Sequence, residues 1–278
     1  MAALVEAYPE SGFEDLLRIR TPSFATRNPK LLQLYEKYRL RMGQRGMTFV
    51  QMAVRQVREI LGSEPRGLAI DLGCGVGAGA LPLSEQFDAV IGIDPSLPDL
   101  ILARKALEEQ RVGNVTLVAG FAQRLPVCDR CAGFVLAENV LEHIHELDEA
   151  CREIGRVLAP GSVFVGDCVN RYSLLRPEPH VKLWAVGYLP RAWQARYVKR
   201  RRDFDGYDRS VHLRSLRELQ RAVRAIGPEG RVGFPSFSAY GYPAFADRVL
   251  DTIRRIPILS TALLWIFPAF LVVAPRAR

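Results

Sequence analysis

The stretch from Leu68 to Gly79 constrains this chain more than any other. The apolar run Leu68-Ala69-Ile70 passes directly into Asp71-Leu72-Gly73-Cys74-Gly75-Val76-Gly77-Ala78-Gly79. Glycine at every second position from 73 to 79 lets the backbone turn sharply and leaves no side chains to obstruct a ligand lying against it. A strand ending in such a loop belongs to open α/β sheets, whose ligands sit outside the carboxyl ends of parallel strands. The chain beyond keeps that rhythm. Ala89-Val90-Ile91-Gly92-Ile93, Val115-Thr116-Leu117-Val118, Gly133-Phe134-Val135-Leu136 and Ser162-Val163-Phe164-Val165 are apolar runs of strand length, separated by segments read as helices. The clearest of those helices carries Val140, Leu141, Ile144, Leu147, Ile154 and Leu158 on one side. Five successive β/α units imply a doubly wound, mainly parallel sheet with helices on both faces.

The flanks differ from this core. Residues 1–66 read as an N-terminal helical cap, since Leu31, Leu32, Leu34 and Tyr35 recur at helical spacing, as do Phe49, Met52, Ala53, Val57 and Ile60. Residues 67–278 then form the α/β domain. Within it, residues 171–212 are rich in Arg, Pro and aromatics and read as an insertion between the fifth strand and a helix from about Leu213 to Ala225. Insertions at the carboxyl ends of strands carry substrate contacts. The segment Ile256 to Ala274 has no charged residue over 19 positions, which is enough length for a membrane span. Pro257 and Pro268 favour instead a helix ending near Phe267 and a buried strand Phe270-Leu271-Val272-Val273 that completes the sheet. Peripheral membrane contact through this apolar end stays open.

Composition narrows the class. With 49% hydrophobic and 24% charged residues the chain matches ordinary globular proteins, excluding disordered, collagen-like and coiled-coil classes. A net charge of +8 favours anionic partners. Five cysteines with no basic and apolar leader ahead of them suit a reducing, cytoplasmic setting. Cys128 and Cys131 form one CxxC pair without a second pair or suitably spaced histidines, so no metal is expected.

Asp94 closes the second predicted strand, where a carboxylate accepts hydrogen bonds from both hydroxyls of a ribose. With the glycine loop it defines an adenosine-type ligand. Gly73, Gly75 and Ala78 also fit a looser dinucleotide fingerprint, so a nicotinamide (NAD or NADP) oxidoreductase is the rival reading. Against it, Asp71 stands two residues before the first glycine. A carboxylate there opposes a pyrophosphate but suits the ammonium of a methionine moiety.

Asp71 to Gly79, Ile91-Gly92-Ile93-Asp94, Gln123-Arg124-Leu125-Pro126, Asn139-Val140-Leu141-Glu142-His143-Ile144 and Arg156-Val157-Leu158-Ala159-Pro160-Gly161 stand in an order that resembles the class I S-adenosylmethionine (SAM) dependent methyltransferases, in particular the type 11-like small-molecule enzymes. The resemblance covers roughly residues 67 to 168. It implies a Rossmann-like seven-stranded sheet with its last strand antiparallel, and SAM as cofactor. By position it assigns Asp71, Gly73, Gly75 and Gly77 to the methionine end, Asp94 to the ribose, Phe121 and Ala122 to the adenine, and Ala137, Glu138 and Asn139 to the sulfonium end. Relatives often carry an acid where this chain has Phe121, which leaves ring packing, backbone contacts or Gln123 to hold the adenine.

Methyl transfer needs alignment and exclusion of water, and for an oxygen or charged-amine acceptor a general base. The candidates are His143, His145, Glu178 and His180, with His143 and His180 foremost: His143 follows the fourth strand, and His180 sits in the stiff turn Pro177-Glu178-Pro179-His180. Tyr172, Trp184 and Tyr188 are candidates to wall an acceptor pocket. The run Lys199-Arg200-Arg201-Arg202 reads as a solvated loop or a phosphate contact above that pocket. The expectation is therefore a small-molecule methyltransferase acting at oxygen on an anionic acceptor such as a phosphorylated or lipid-linked sugar, with no nucleic acid partner. The non-enzymatic alternatives are an RNA-binding module that keeps the fold, using the Arg run, and a membrane-bound scaffold.

Overall fold

The apolar runs lie side by side as strands in the computed structural model, which describes residues 1–21, 28–45, 48–61, 66–235 and 245–277. Strands β1 (Leu68–Leu72), β2 (Ala89–Asp94), β3 (Val115–Ala119), β4 (Ala132–Ala137) and β5 (Leu158–Val169) pair in parallel, while β7 (Ala269–Pro275) runs antiparallel to β5 and to β6 (Arg231–Gly233). The order is β3-β2-β1-β4-β5-β7-β6. It reverses direction between β1 and β4, so their carboxyl ends open a crevice where the glycine loop lies. The doubly wound, seven-stranded sheet with an antiparallel last strand is as the sequence predicts.

One face of the sheet packs Ile70, Leu72, Val135 and Phe164 against α7 (Leu147–Val157) and α10 (Leu216–Val223). On the other face Ala69, Phe134, Leu136 and Val163 meet α4 (Thr48–Leu61) through Val50, Ala53, Val54 and Val57. Helix α4 thus belongs to the sheet's own core. The helices α1 (Ala2–Ala7) and α2 (Phe13–Arg20) cover α6 (Leu97–Glu109), where Leu16 and Leu17 bury against Leu102. Helix α3 (Pro29–Arg45) reaches across the carboxyl ends of the strands. Residues 22–27, 46–47 and 62–65 of the predicted cap, and the side chains of Leu31, Phe49 and Ile60, lie outside the described residues.

Three sequence expectations need correction. No helix joins β3 to β4; residues 120–131 form turns. The predicted helix from Val140 is two pieces, a 3-10 turn Leu141–His143 and then α7, with Leu158 already in β5. Val140, Leu141 and Ile144 mimic helical spacing, but Asn139 is left-handed (φ 52°) and the Glu142 carbonyl accepts from His212 N–H at 2.6 Å, which holds the turn apart from α7. Finally, Lys199 to Arg202 is the last turn of helix α8 (Arg191–Arg202), not a loop. Lys199 pairs with Asp205 at 2.7 Å and the Arg202 guanidinium donates to the carbonyls of Val181 and Lys182.

The insertion is folded around a small core of its own, Val181, Val186, Val198, Phe204, Tyr207 and Val211, which includes α9 (Tyr207–Ser210). At the carboxyl end, α11 (Phe245–Arg254) and α12 (Pro257–Ile266) precede β7, whose Phe270, Val272 and Ala274 are buried. No helix among the described residues is long and apolar enough to cross a membrane.

Candidate active site

A cavity of about 1430 Å³ opens at the carboxyl ends of the strands, between the glycine loop, α3 and the insertion. Its first wall follows from backbone constraints. Gly73 has φ 71°, and a Cβ there would meet Val140 Cγ2 at 2.4 Å, so only glycine fits. The Asp94 carboxylate straps the loop: Gly75 N–H donates to Oδ2 at 2.9 Å and Ser96 N–H donates to Oδ1 at 2.7 Å. Each oxygen keeps acceptor capacity toward the cavity. Phe121 stands 65% exposed on the rim with Ala122 behind it, while Gln123 donates to Glu146 at 2.8 Å. Glu138 and Asn139 complete this end, and Asn139 N–H donates to Asp167 Oδ1 at 2.5 Å.

Three of the assigned residues, Ala137, Gly77 and Asp71, stand behind the wall rather than on it, Ala137 being fully buried. Gly77 packs toward Ala103, and the Asp71 carboxylate lies beneath the loop, where it accepts from Ala80 N–H and leaves Oδ2 without a partner. A Cβ at Gly79 would fall 2.7 Å from that carboxylate, so Gly79 makes room for the acid. Carboxylates crowd this end. Burial, then the neighbouring Asp94, pushes Asp71 up to about 7. Burial followed by Asp167 and Asp71 pushes Glu138 well above the usual range. Buried acids that repel one another in this way stabilise a cation placed among them and oppose a phosphate.

The opposite wall is assembled from distant parts of the chain. His143, on the turn after β4, presents Nδ1 to the Ser210 carbonyl, and its Nε2 lies 3.2 Å from His180 Nε2. His180 Nδ1 bonds the Glu178 carboxylate, which also accepts from Val181 N–H at 2.8 Å. Buried Arg214 fixes the turn by donating to the carbonyls of Ile144 and His145. The structure therefore brings the two leading candidates together, whereas exposed His145 pairs with Glu146 beside them. Although the His143 ring is open to solvent, desolvation by the surrounding walls and then His180 lower its pKa to about 4. Burial works against the charged form of His180, but Glu178 outweighs it and raises the pKa on balance.

Several participants were not read from the sequence. Glu142 is fully buried with both carboxylate oxygens unpartnered, 4.0 Å from His180 Nε2, and burial raises it to about 7. Tyr35 of α3 donates its hydroxyl to the His180 carbonyl at 2.8 Å, joining the N-terminal helices to the insertion. Arg39 holds Asp99 of α6 at 2.7 Å, which seats α3 over the cavity. Of the aromatics proposed as walls, Tyr188 reaches the cavity, while Trp184 is half exposed outside it. The cationic side chains on the insertion's wall are Arg171, Arg176 and Lys182 rather than the Lys199 to Arg202 run.

Comparison with known proteins agrees with this geometry. Residues 70–166 match the family described as a methyltransferase domain. Among curated relatives, the chain is 36% identical over 100 residues to a demethylmenaquinone methyltransferase of Lactiplantibacillus plantarum, covering 34% of this chain and 42% of that one. It is 27% identical over 140 residues to the methyltransferase YcgJ of Bacillus subtilis, covering 46% and 54%. The matches thus span about half the length of these relatives. Among solved structures, Bacillus subtilis YcgJ superposes with a TM-score of 0.52 at 17% identity, over 82% of this chain and 98% of that one. A Haemonchus contortus phosphoethanolamine N-methyltransferase 2, solved with S-adenosyl-L-methionine, gives 0.53 at 16% identity over 81% and 53%.

Proposed function

We propose that the chain, whose residues 70–166 match a methyltransferase domain, is a class I SAM-dependent methyltransferase that transfers the methyl group of SAM to oxygen on a small anionic acceptor. The observation that carries this reading is the charge layout of this cavity. Asp71, Asp94, Glu138 and Asp167 crowd its loop end, and Arg171, Arg176 and Lys182 stand on the insertion's wall. A cationic donor fits the first end and an anionic acceptor the second. The unpartnered Asp71 oxygen fits SAM better than the pyrophosphate of NAD, whereas the side-chain-free approach at Gly73 and Gly75 serves either ligand.

When bound, SAM supplies an electrophilic methyl group, so the protein's task is alignment, dehydration and handling of a proton. Asp94 would hold the ribose hydroxyls, with Gly73, Gly75 and Asn139 lining the methionine and sulfonium end and Asp71 acting through the field it sets beneath the loop. Phe121 and Ala122 would flank the adenine. Residues 67–278 form the catalytic unit in this reading. Helix α3 and the insertion 171–212 shut water out of the acceptor side, tied to each other by the Tyr35–His180 bond. An acceptor hydroxyl would give its proton to the His143–His180–Glu178 group, which is built so that an imidazole lone pair at His143 is available near neutral pH.

Relatives include a ubiquinone biosynthesis O-methyltransferase and a demethylmenaquinone methyltransferase, and α12 has no buried residue, with Ile258 86% exposed. Both observations favour an acceptor carried at a lipid surface, with α12 resting on it. The test is methyl transfer from labelled SAM to a panel of phosphorylated sugars and lipid-linked phenols, with and without anionic vesicles. Label in an anionic or lipid-linked hydroxyl is the expected outcome. Transfer only to a neutral amine would overturn the acceptor reading, and loss of vesicle association in Ile258→Glu checks the contact.

A further inference from the structure

Glu142, His143 and His180 converge in a way that hydrogen bonding alone leaves incomplete. The Ser210 carbonyl can only accept, so His143 carries its proton on Nδ1. The Glu178 carboxylate can likewise only accept when ionised, so His180 also carries its proton on Nδ1. In their neutral forms both imidazoles therefore aim bare Nε2 lone pairs at each other across 3.2 Å. Either a proton on one Nε2, which makes the contact a hydrogen bond, or a metal cation must stand between them. Beside the pair lies the Glu142 carboxylate, fully buried, with neither oxygen hydrogen-bonded. One ligand atom from each of the three residues falls within 4.8 Å of the others.

We propose that Glu142, His143 and His180 bind a divalent cation of the zinc or cobalt type, leaving a position open to the cavity for an acceptor oxygen. Two imidazole nitrogens on one tetrahedral ion, each about 2.05 Å away, stand about 3.3 Å apart, close to the separation seen here. The Glu142 Oε1 atom, 4.0 Å from His180 Nε2, must move closer to close the set. The outer partners are those that metal-binding histidines use: a carboxylate on one Nδ1 and a backbone carbonyl on the other, fixing both rings and tautomers. Three protein ligands with an open fourth position is the arrangement of catalytic rather than structural zinc sites. His143 and His180 line the cavity, so in the metal-loaded chain, where both Nε2 atoms are ligands and neither is a base, a coordinated acceptor hydroxyl would lose its proton more readily, to solvent. This use of the ion, though not its binding, rests on the methyltransferase reading above.

The test uses the full chain, stripped with a chelator and titrated with Co²⁺ while visible absorption is followed, in parallel with calorimetry of S-adenosylhomocysteine. One equivalent of Co²⁺ giving the intense visible bands of a four-coordinate ion is expected. His180→Ala and Glu142→Gln, the latter preserving shape, should each weaken Co²⁺ binding by more than about tenfold, and Glu178→Gln by about 10-fold to 100-fold through its outer contact. Their affinity for S-adenosylhomocysteine should stay at the wild-type value, which also reports an intact fold. Failure of the wild-type chain to bind Co²⁺ while S-adenosylhomocysteine binds would overturn the site and leave a shared proton between the histidines. Co²⁺ binding unchanged in the variants would overturn it too. Co²⁺ binding lost in the variants, in a chain that does not bind S-adenosylhomocysteine, would uphold the metal site and refute the methyltransferase reading instead.

Discussion

Replacing Asp94 by alanine tests the hinge on which the donor site turns. In the folded chain its two oxygens already accept from Gly75 N–H at 2.9 Å and Ser96 N–H at 2.7 Å. The proposed ribose contacts would use the remaining lone pairs of the same atoms. A hydrogen bond to a charged group contributes about 1.5–3 kcal/mol, and water recovers part of it at an open cavity. Losing two such bonds to the cofactor leaves a deficit of about 2–4 kcal/mol, roughly 30-fold to 1000-fold in affinity. Freeing Gly75 also lets the loop wander before it binds, which acts in the same direction. Against this, burial makes the Asp94 charge costly, so its removal relieves desolvation and the fold should survive. Calorimetric titration with S-adenosylhomocysteine measures the loss, and the far-ultraviolet spectrum and melting temperature report the fold. Affinity within about threefold of wild type, a change of under 1 kcal/mol, in a folded Asp94→Ala chain would refute the ribose assignment.

Gly73→Val should abolish cofactor binding, because its Cβ would overlap Val140 and its φ of 71° disfavours any side chain; normal binding would mean the loop is misplaced. Asp71 has its folded pKa raised from 3.8 to about 7, so its contribution to unliganded stability is complete below about pH 4 and is lost as pH rises toward 7. Asp71→Asn should flatten that decline and add on the order of a few kcal/mol at pH 8 but nothing at pH 4, read from denaturant midpoints; equal gains at both pH values would contradict it. Deleting residues 256–278 should unfold the chain, since it removes β7 from between β5 and β6, and a soluble protein with native circular dichroism would contradict the buried-strand account.

The donor half of the site was legible because its determinants are local. Glycines at 73 and 75 and an acid at the end of the next strand act within a few residues of where they stand, and strand order then follows from chirality and short connections. The acceptor half depends on contacts between segments far apart in sequence. His143 and His180 were singled out separately, but nothing local says that Nε2 of one meets Nε2 of the other, since that requires the Glu142 carbonyl to catch His212 N–H and Arg214 to clamp the turn. Glu142 was hidden inside an apparently amphipathic helix whose spacing the 3-10 turn imitates. The Arg run drew attention by density of charge, yet Arg202 is spent on backbone carbonyls and Lys199 on Asp205, while the scattered Arg171, Arg176 and Lys182 reach the cavity. Tyr35 joined the site because α3 is seated by the Arg39–Asp99 ion pair, a contact that helical periodicity does not announce.

The central claim is that the carboxylate-rich loop end takes a sulfonium cofactor, and parallel calorimetric titrations of the wild-type chain with SAM, S-adenosylhomocysteine and NAD test it most directly. Saturable one-to-one binding of SAM and S-adenosylhomocysteine, with no heat of binding from NAD, is the expected result. Binding of NAD without either sulfur compound would contradict the claim, and so would silence from all three.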